Sequence, residues 1–253
     1  MKYGRVRLVW QGQACIIALP QKIGLTSPEE NEKNMKTLLS WSSGKDSAWA
    51  LHVLQQRDDI KLVGLFCTIN SEFERAAMHA VRIDLIKRQA ASAGLPVQFI
   101  ELPHPCTDTE YRTIMKEFLG QARQQGIECM AFGDLYLEDI RSYRENNLAD
   151  TGIMPIFPIW GLETTALSHN MMDSGLRAII TCIDPKQLDP KFVGREYNQA
   201  FLEQLPDTAD PCGENGEFHS FAFAGPMFKE PIDVRVGETV TRGGFVFADL
   251  LPT

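Results

Sequence analysis

The sequence lacks the features of a membrane protein, a zinc module and a polycation. Its six cysteines include no Cys-x-x-Cys pair, so a zinc knuckle or a thioredoxin-like site has no support. No apolar run is long enough to span a bilayer, and Gln11-Gly12-Gln13 interrupts the first one, which makes it a poor signal peptide. Acidic side chains outnumber basic ones by 33 to 25, which argues against a broad nucleic-acid-binding surface. We therefore expect a cytoplasmic protein with no membrane partner.

What is present is ordinary for a globular protein. The chain has 253 residues, 44% hydrophobic and 23% charged, which is enough for one large domain or two modest ones. Residues 1–34 differ from the rest, because two short strand-like runs precede a polar stretch that starts at Ser27. We predict an N-terminal appendage there, and our hypothesis is that the functional chain begins near Met35. The cysteines are expected to be buried free thiols.

Strands and helices alternate after Met35, which predicts an α/β fold. Ser71 with Glu74, and Thr107 with Glu110, have the spacing of a helix-capping box. Short apolar strands between helices are typical of a parallel sheet, so we predict a parallel twisted sheet with helices on both faces. The predicted strands are 37–41, 61–68, 97–102 and 128–132, and the predicted helices are 46–56, 73–93 and 107–126.

The second half of the chain is less regular and predicts a smaller α/β domain. Prolines break the apolar segment 153–160, so a strand there should be short or at a sheet edge. Asp189 and Pro190 suit the cap and first residue of a helix over 191–205. Further expectations are a helix at 164–174 and strands at 178–182, 220–223, 232–236 and 245–247.

The most informative segment lies where the first predicted strand meets the first predicted helix. Small residues let the backbone approach a phosphate, and amides at a helix N-terminus attract anions. Lys45 adds positive charge, and Asp46 is a candidate Mg²⁺ ligand. The alternative is a serine-rich turn that only caps a helix, but the strand–loop–helix context favours nucleotide binding. The spacing is not that of a Walker A motif, and the residues are Ser42, Ser43, Gly44, Lys45, Asp46 and Ser47.

This loop resembles the PP-loop of the N-type ATP pyrophosphatases, with Ser43 where the pattern has its first glycine. Around it, the chain from about Met35 to Phe228 resembles one branch of that group, the diphthine–ammonia ligase-like family with its bacterial relatives of uncertain substrate. Three further segments carry the resemblance, and the last is the most specific to the family. They are Gly133–Leu135 with Asp139–Glu145, then Leu188–Gly194, and then Cys212–His219.

The resemblance implies two domains with different roles. It implies an adenine-nucleotide α-hydrolase-like domain at 35–133 that binds ATP with Mg²⁺, and a substrate-binding domain at 134–253. It also implies a ligase that cleaves ATP to AMP and pyrophosphate and adenylates a carboxyl-type acceptor, which ammonia or an amine then attacks. Diphthine on elongation factor 2 is the expected acceptor if the source makes diphthamide. For a bacterial source, the resemblance implies ATP-dependent amidation or ligation of an acceptor that it does not identify. A homodimer is left open.

Candidate nucleotide-binding residues also lie outside the loop. Gly133 and Asp134 follow a predicted strand, where ligands bind in parallel sheets, although an Asx turn is the alternative for Asp134. By resemblance, His79 corresponds to a segment near the adenine pocket. The resemblance adds three substrate-binding residues, Arg141, Arg144 and Glu145. Of these, Arg141 and Glu145 are four residues apart and equally suit a solvated ion pair.

The loop 212–217 brings two carboxylates close together in sequence. An Asn-Gly hairpin turn is the simple alternative, but neighbouring acids are unfavourable unless a cation or substrate offsets their charge. Glu214 and Glu217 are therefore candidates for orienting ammonia, an ammonium ion or Mg²⁺. Cys212 is a weaker candidate nucleophile, because only His219 is near in sequence as a base. The candidate catalytic residues are Lys45, Asp46, Glu214 and Glu217. The resemblance makes the whole loop substrate-binding, with Cys212, Gly213, Glu214, Asn215, Gly216 and Glu217.

Two other classes of protein are alternatives. One is a non-catalytic adenine-nucleotide-binding regulator, similar in fold to universal stress proteins. The acid-rich loop argues against it, because a sensor needs no second reactive pocket. The other is a PP-loop sulfur transferase that acts on tRNA, which the absence of a Cys-x-x-Cys pair and the acidic charge disfavour.

Overall fold

Two β-sheets with packed helices make up the part of the chain that is described. The computed structural model of the protein describes residues 34–70, 72, 75–76 (backbone only) and 81–253. The appendage predicted at 1–34, except its last residue, lies outside these residues, as do the predicted Ser71–Glu74 cap and His79. The strands are β1 (Met35–Ser40), β2 (Ile60–Asn70), β3 (Arg75–Ala76), β4 (Val97–Leu102), β5 (Cys129–Ala131), β6 (Met154–Ile156), β7 (Arg177–Ile183), β8 (Glu196–Tyr197), β9 (Phe218–Ala224), β10 (Val234–Arg242) and β11 (Phe245–Pro252). The helices are α1 (Lys45–Gln55), α2 (Ile83–Ala93), α3 (Asp108–Gln124), α4 (Glu138–Leu148), α5 (Thr164–Asp173) and α6 (Gln199–Leu202).

The larger sheet has β1 at its centre and confirms the predicted parallel arrangement. β1 pairs in parallel with β2 on one side and β5 on the other, β4 lies beyond β2, and β6 lies beyond β5. The short β3 pairs antiparallel with the end of β2. β6 is a short edge strand of the kind predicted for 153–160. It belongs to the larger sheet, although it follows the domain boundary predicted between residues 133 and 134. The chain fills one side of β1 first and the other side later, so the strand order reverses beside β1.

Alternate residues of β1 face opposite sides of the larger sheet, as the period of a strand requires. Leu39 is buried in one hydrophobic cluster with Leu51 of α1 and Leu85 of α2. Leu38 is buried in a second cluster with Phe118 of α3. Helices therefore cover both faces of the sheet, as predicted.

The second helix is shorter than predicted. α2 begins at Ile83 rather than at residue 73, because residues 75–76 form β3, which pairs antiparallel with the end of β2. Its end agrees with the sequence, since Gly94 follows the helix with a left-handed φ of 71°. The predicted helix over 73–93 is therefore wrong in its first part, where backbone pairing with β2 overrides the local pattern.

The third helix begins as predicted. The Thr107 side chain accepts the Glu110 N–H, and the Glu110 carboxylate accepts the Thr107 N–H at 2.9 Å, which is the reciprocal capping box. Both interactions satisfy amides that lack partners within the helix, so a local sequence signal was enough to place this helix start.

The smaller sheet is antiparallel and has β7 at its centre. β9 pairs along one edge of β7, β8 and β11 pair with opposite ends of the other edge, and β10 pairs with β11. Ile180 of β7 and Phe221 of β9 are buried in the same cluster as Leu51 of α1, so this sheet packs against the helices on one face of the larger sheet. With α5 and α6 it forms the predicted smaller α/β part.

The single helix predicted over 191–205 is wrong. Residues Pro190–Phe192 form one 3-10 turn, and β8 and the short α6 follow. The cap is correct locally, because the Asp189 side chain accepts the N–H two residues on at 2.9 Å. The helix does not continue because Gly194 has a left-handed φ of 78° and β8 pairs with β7. The pairing of β8 with β7 joins segments that are distant in the sequence, so no local pattern predicts it.

Candidate active site

A cavity lies at the carboxyl edge of the larger sheet, where the chain leaves β1 and β5. Its volume is about 230 Å³, and it sits where the strand order reverses, which is where open parallel sheets bind ligands. We call it the polar cavity. Its walls come from four parts of the chain. These are Ser40, Ser42 and residues 44–47; residues 132–134 at the end of β5; Arg144 of α4; and Gly213, Glu214, Gly216 and residues 218–220.

The segment 42–47, which we call the phosphate loop, ends at the N-terminus of α1. Gly44 precedes the helix in an extended conformation and, as a glycine, has no side chain that could cap it. The hydroxyl groups of Ser42 and Ser47 are 3.0 Å apart, and the Lys45 N–H donates to Ser220 Oγ at 3.2 Å. The backbone amides of a helix N-terminus and the positive end of the helix dipole attract negative charge, so this loop favours an anion.

Gly133 allows the chain after β5 to pass close to the phosphate loop. A Cβ atom at this position would lie 3.0 Å from the Ser47 nitrogen and 3.1 Å from the Asp46 carbonyl oxygen. Both neighbours are backbone atoms of α1, so a larger residue would push the two segments apart. The close approach places Asp134 beside the phosphate loop.

Lys45 is buried and joins the phosphate loop to a second loop. Its ammonium donates to both carboxylate oxygens of Asp46 at 2.9 Å and to the carbonyl oxygen of Cys212. The rings of Tyr197 and Phe218 lie 5.6 and 5.4 Å from the nitrogen. Burial alone would lower the pKa of Lys45, but the Asp46 charge raises it above its ordinary value, so the ammonium stays charged.

Asp134 and Arg144 face each other on the wall of the polar cavity. Arg144 Nε lies 3.5 Å from Asp134 Oδ2, and neither buried atom has a hydrogen bond within the described chain. Burial raises the pKa of Asp134, while the Arg144 guanidinium opposes that rise. The pair therefore has unused hydrogen-bonding capacity that a ligand in the cavity can satisfy.

The segment 212–217, which we call the acidic loop, presents Glu214 to the polar cavity. Glu214 lines the cavity, and its Oε1 accepts the Leu135 N–H at 2.9 Å. Burial raises the pKa of Glu214 to about 7, although the hydrogen bond from Leu135 opposes the shift. Glu214 is thus close to half ionised near neutral pH, which suits a group that exchanges a proton.

Glu217 in the same loop has a different position. It is 2% exposed and does not line either cavity of the described structure. Its Oε1 accepts the Asp210 N–H at 2.8 Å and an Asn215 side-chain N–H at 3.2 Å. Glu217 therefore fixes the shape of the acidic loop, and its predicted contact with substrate does not follow from this geometry.

Two models of known protein families match most of the chain. The model of the diphthamide synthase N-terminal domain matches residues 35–155, and that of the diphthamide synthase C-terminal domain matches residues 163–248. A protein of Danio rerio named diphthine–ammonia ligase is 31% identical over 181 residues, which are 66% of this chain and 70% of that one. The chain belongs to the diphthine–ammonia ligase family. The predicted PP-loop resemblance is confirmed at the level of the family.

Other members of the diphthine–ammonia ligase family match over shorter stretches. The proteins of Bos taurus and Homo sapiens with that name are 28% and 27% identical over 130 residues, 49% of this chain and 49% of each relative. The chain spans about half the length of these two relatives. Among solved structures, the U34-tRNA thiolase NcsA from Methanococcus maripaludis with its 4Fe-4S cluster has a TM-score of 0.36 at 16% identity, covering 56% of this chain and 58% of that one. That likeness is too weak to support an argument.

A second cavity of about 210 Å³ adjoins the polar cavity in this member of the family. The two share wall residues, among them Ser42 and Arg144. The remaining wall comes from β2, β5, α3 and α4 and includes Phe66, Tyr111 and Met115. We call it the adjoining cavity, and its rings and thioether suit a flat aromatic group.

The predicted basic residues of α4 fall in two different places. Arg144 reaches both cavities, whereas Arg141 lines neither one in the described chain. Arg141 pairs with Glu145 at 2.8 Å, and its guanidinium carbon lies 5.0 Å and 4.8 Å from the ring centres of Phe157 and Trp160. The geometry of Arg141 and Glu145 is that of the solvated ion pair, while Arg144 is placed to contact a ligand.

Cys212 is not arranged as a nucleophile. Its Sγ donates to the Thr164 carbonyl at 3.5 Å, and burial raises the pKa of the thiol to about 12. The neighbouring His219 lines the polar cavity, and burial, with a further contribution from Lys45, lowers the pKa of its imidazole to about 4. At neutral pH the site therefore contains a neutral thiol and a neutral imidazole rather than a thiolate–imidazolium pair.

Ser220, Tyr111 and Asn147 are among the residues of the site that were not predicted from the sequence. Ser220 accepts the Lys45 N–H and lies one residue after the most family-specific segment, so the resemblance was the available signal. Tyr111 and Asn147 line the adjoining cavity from α3 and α4. No motif marks these two residues, because their position depends on how the helices pack against the sheet.

The described residues contain no group of three or more histidine, cysteine or acidic side chains that could hold a metal ion. No helix there is both long and apolar enough to cross a membrane. Four of the cysteines, Cys67, Cys129, Cys182 and Cys212, are buried free thiols, as predicted. Cys106 is a free thiol but is only partly buried, and Cys15 lies outside the described residues.

Proposed function

We propose that the protein binds ATP across the two cavities and cleaves it between the α- and β-phosphates, adenylating a carboxyl-type acceptor that ammonia or an amine then attacks. The observation that carries this proposal is a single polar cavity with helix-terminal amides on one wall and the Glu214 carboxylate on another. Amides favour phosphate, and a carboxylate favours a nucleophile that carries or releases a proton. The family supports the same pairing, because relatives are named for diphthine and ammonia.

The nucleotide divides between the two cavities. The phosphates lie in the polar cavity against the phosphate loop, and the base lies in the adjoining cavity beside Phe66, Tyr111 and Met115. Ser42 and Arg144 border both cavities, so the ribose and α-phosphate pass between them. The planar guanidinium of Arg144 is then close to the phosphate on which charge develops during the reaction.

The carboxylates of Asp46 and Asp134 fit an Mg²⁺ ion that arrives with ATP. Both line the polar cavity, and Asp134 Oδ2 is buried without a hydrogen bond within the described chain. Two carboxylates do not make a protein cage, but Mg²⁺ usually takes one or two of them and completes its shell with phosphate oxygens and water. When bound, the ion would neutralise charge on the phosphates.

In the first step, an acceptor carboxylate oxygen forms a bond to the α-phosphorus of ATP. The bond from that phosphorus to the bridging oxygen breaks, and pyrophosphate leaves with the electron pair. The protein contributes position and charge: the phosphate-loop amides, the hydroxyl groups of Ser42 and Ser47, and Arg144 stabilise the phosphate oxygens. Lys45 contributes indirectly, by holding Asp46 and the acidic loop together.

In the second step, ammonia attacks the acyl carbon of the adenylate. The bond to AMP breaks, AMP leaves with the electron pair, and the nitrogen loses a proton. Glu214 faces the cavity with a pKa of about 7, so its ionised form can accept that proton at neutral pH. His219, with a pKa of about 4, is a weaker proton acceptor in the same cavity.

The acceptor is proposed to be a carboxylate of the diphthine kind, carried by a protein or by a small molecule. A sulfur transferase would need a reactive thiolate near the nucleotide. Burial raises the pKa of both Cys67, in the adjoining cavity, and Cys212, beside Lys45, to about 12. This chemistry favours the ligase over the sulfur transferase.

The proposal is tested by product analysis. The pure protein is incubated with Mg-ATP and ammonium, with and without an acceptor, either diphthine-bearing elongation factor 2 or a cell metabolite extract. We expect AMP and pyrophosphate in amounts that depend on the acceptor. ADP with phosphate would refute cleavage between the α- and β-phosphates. Tight ATP binding without any product would favour the nucleotide-binding regulator.

A further inference from the structure

Ser43 holds a backbone conformation that serine disfavours. Its φ is 70°, and no other non-glycine residue of the described chain has a positive φ. For an L-residue other than glycine this conformation is unfavourable, because the Cβ atom crowds the backbone. The Ser43 side chain is also buried, with no hydrogen-bond partner for its hydroxyl among the described groups. The conformation therefore needs support from elsewhere in the fold.

Gln89 of α2 supplies that support. It is completely buried, and its Nε2 donates to the carbonyl oxygens of Ser43 at 3.0 Å and Ala222 at 2.6 Å. Its Oε1 accepts the indole N–H of Trp41 at 2.9 Å. The Ala222 N–H donates to the same Ser43 carbonyl at 2.9 Å. One side chain thus connects the end of β1, the phosphate loop and β9.

The direction of the Ser43 carbonyl determines what the next amide faces. The peptide bond is planar and trans, so the Ser43 C=O and the Gly44 N–H point in opposite directions. The carbonyl points to Gln89 and β9, so the Gly44 N–H points away from them, where Ser42 Oγ accepts it at 3.3 Å at the wall of the polar cavity. A flipped peptide would present a carbonyl oxygen there and repel a phosphate.

We propose that Gln89 is a positioning residue for phosphate binding, which holds the Ser43 carbonyl away from the polar cavity so that the Gly44 N–H faces the nucleotide. The inference rests on the proposed function, because it assumes that ATP occupies that cavity. A residue that only stabilises the fold would affect every ligand of the site alike. Gln89 instead acts on the part of the ligand that carries phosphate.

The experiment compares two ligands on the full chain by isothermal titration calorimetry. One is Mg²⁺ with α,β-methylene-ATP, which cannot be cleaved between the α- and β-phosphates, and the other is adenosine. Gln89→Leu keeps a similar volume and removes both N–H donors. We expect the affinity for the triphosphate analogue to fall about tenfold, the size of one hydrogen bond, and the affinity for adenosine to change by less than about twofold.

Two further variants complete the comparison. Ser92→Ala is the matched control, because Ser92 lies one turn later on α2 and its hydroxyl donates to the Glu230 carbonyl at 2.6 Å without contacting the phosphate loop. We expect it to lower Tm and leave both affinities unchanged. Gln89→Asn keeps an amide that is too short to reach all three partners, and it should show the same selective loss if the leucine variant does not fold.

Equal affinities in wild type and Gln89→Leu, or a loss of the same factor for both ligands, would overturn the inference. Failure of both Gln89 variants to fold would overturn it as well, because Gln89 would then be a structural residue. A wild-type protein that does not bind the triphosphate analogue would refute the proposed function itself, and this result is distinguishable from the others.

Discussion

The phosphate loop and the acidic loop meet at one cavity but are held in different ways. The phosphate loop is fixed from outside, by Gln89 of α2 and by Ser220 and Ala222 of β9. The acidic loop is fixed mainly from within and from the residues just before it. Asp210 Oδ1 accepts the N–H of Cys212 at 2.8 Å, and Glu217 closes the other end.

This difference separates the two kinds of group that the cavity needs. In the phosphate loop, Gln89 and Ala222 engage the Ser43 carbonyl, so the Gly44 N–H of the same peptide points the opposite way. The acidic loop turns one carboxylate, Glu214, outward because the other, Glu217, is used in the loop itself. One buried cation, Lys45, connects the two loops. Substitution of Lys45 tests this connection, and substitutions in either loop test the two loops separately.

The largest effect is expected from Lys45→Met, which removes the connection. Asp46 loses its buried partner, so the free energy of unfolding should fall by about 3 kcal/mol, and AMP formation should fall about 1,000-fold. Urea denaturation and an AMP assay measure the two effects. Lys191→Met is the control, because Lys191 forms a surface pair with Asp189 at 3.2 Å; its stability should change by less than about 0.5 kcal/mol. Wild-type turnover in Lys45→Met would contradict the connection.

The next largest effect separates the two arginines of α4. Arg144→Gln should lower kcat/KM for ATP about 100-fold, because Arg144 borders both cavities. Arg141→Gln should change it by less than about twofold, because Arg141 pairs with Glu145 away from both. Steady-state kinetics on the two variants decides the matter. Equal losses would mean that α4 acts as a structural unit rather than through Arg144.

At the acidic loop, Glu214→Gln should slow the acceptor step about 30-fold. In the wild type, that step should rise with pH through about 7, as Glu214 loses its proton, and level off above. The variant should lack this rise. The pKa of Glu214 is higher in the folded chain than its ordinary value of 4.5, so the contribution of Glu214 to stability should be lost as pH rises from 4.5 to 7. A pH profile that is the same in both proteins would exclude Glu214 as the base.

Glu217→Gln is the matched change three residues away. It should keep the rise in rate near pH 7 and lower the free energy of unfolding by about 1 kcal/mol, because it weakens hydrogen bonds from Asp210 and Asn215. Thermal melting and the same pH profile test this expectation. Loss of the rise in Glu217→Gln, with Glu214→Gln unaffected, would reverse the roles given to the two carboxylates.

The smallest effect is a gain in stability from Ser43→Gly. Glycine adopts the φ of 70° without strain, and the change removes a buried hydroxyl that has no partner among the described groups. After the extra backbone entropy of glycine in the unfolded chain, a net gain of about 1 kcal/mol is expected. Urea denaturation measures it. A loss of stability would mean that the serine hydroxyl contributes to the folded state.

The phosphate loop could be predicted from the sequence because its residues are contiguous and lie between a strand and a helix. The capping box at Thr107 and the helix end at Gly94 were predictable for the same reason, since each depends on a few neighbours in the chain. The parallel order of the larger sheet followed from the alternation of strands and helices. Each of these features is local or follows from a repeated local pattern.

What could not be predicted depends on contacts between distant segments. In the sequence, Gln89 is an ordinary polar residue of a helix. Its hydrogen bonds to the carbonyl groups of Ser43 and Ala222 depend on how α2, the phosphate loop and β9 pack together. Glu214 and Glu217 look equivalent in sequence, and the direction of the loop distinguishes them. The false helix over 191–205 has the same cause, because the pairing of β8 with β7 overrides a good local cap.

The place of Ser220 and Ala222 has a practical consequence for anyone who divides the protein. The two family segments, 35–155 and 163–248, suggest that a fragment ending at residue 155 would carry the complete nucleotide site. Such a fragment would keep every residue of the motif and lose two of the groups that shape it. We expect this fragment to retain the motif but to lose the binding of a triphosphate. The unit to express, graft or crystallise is therefore the two sheets together.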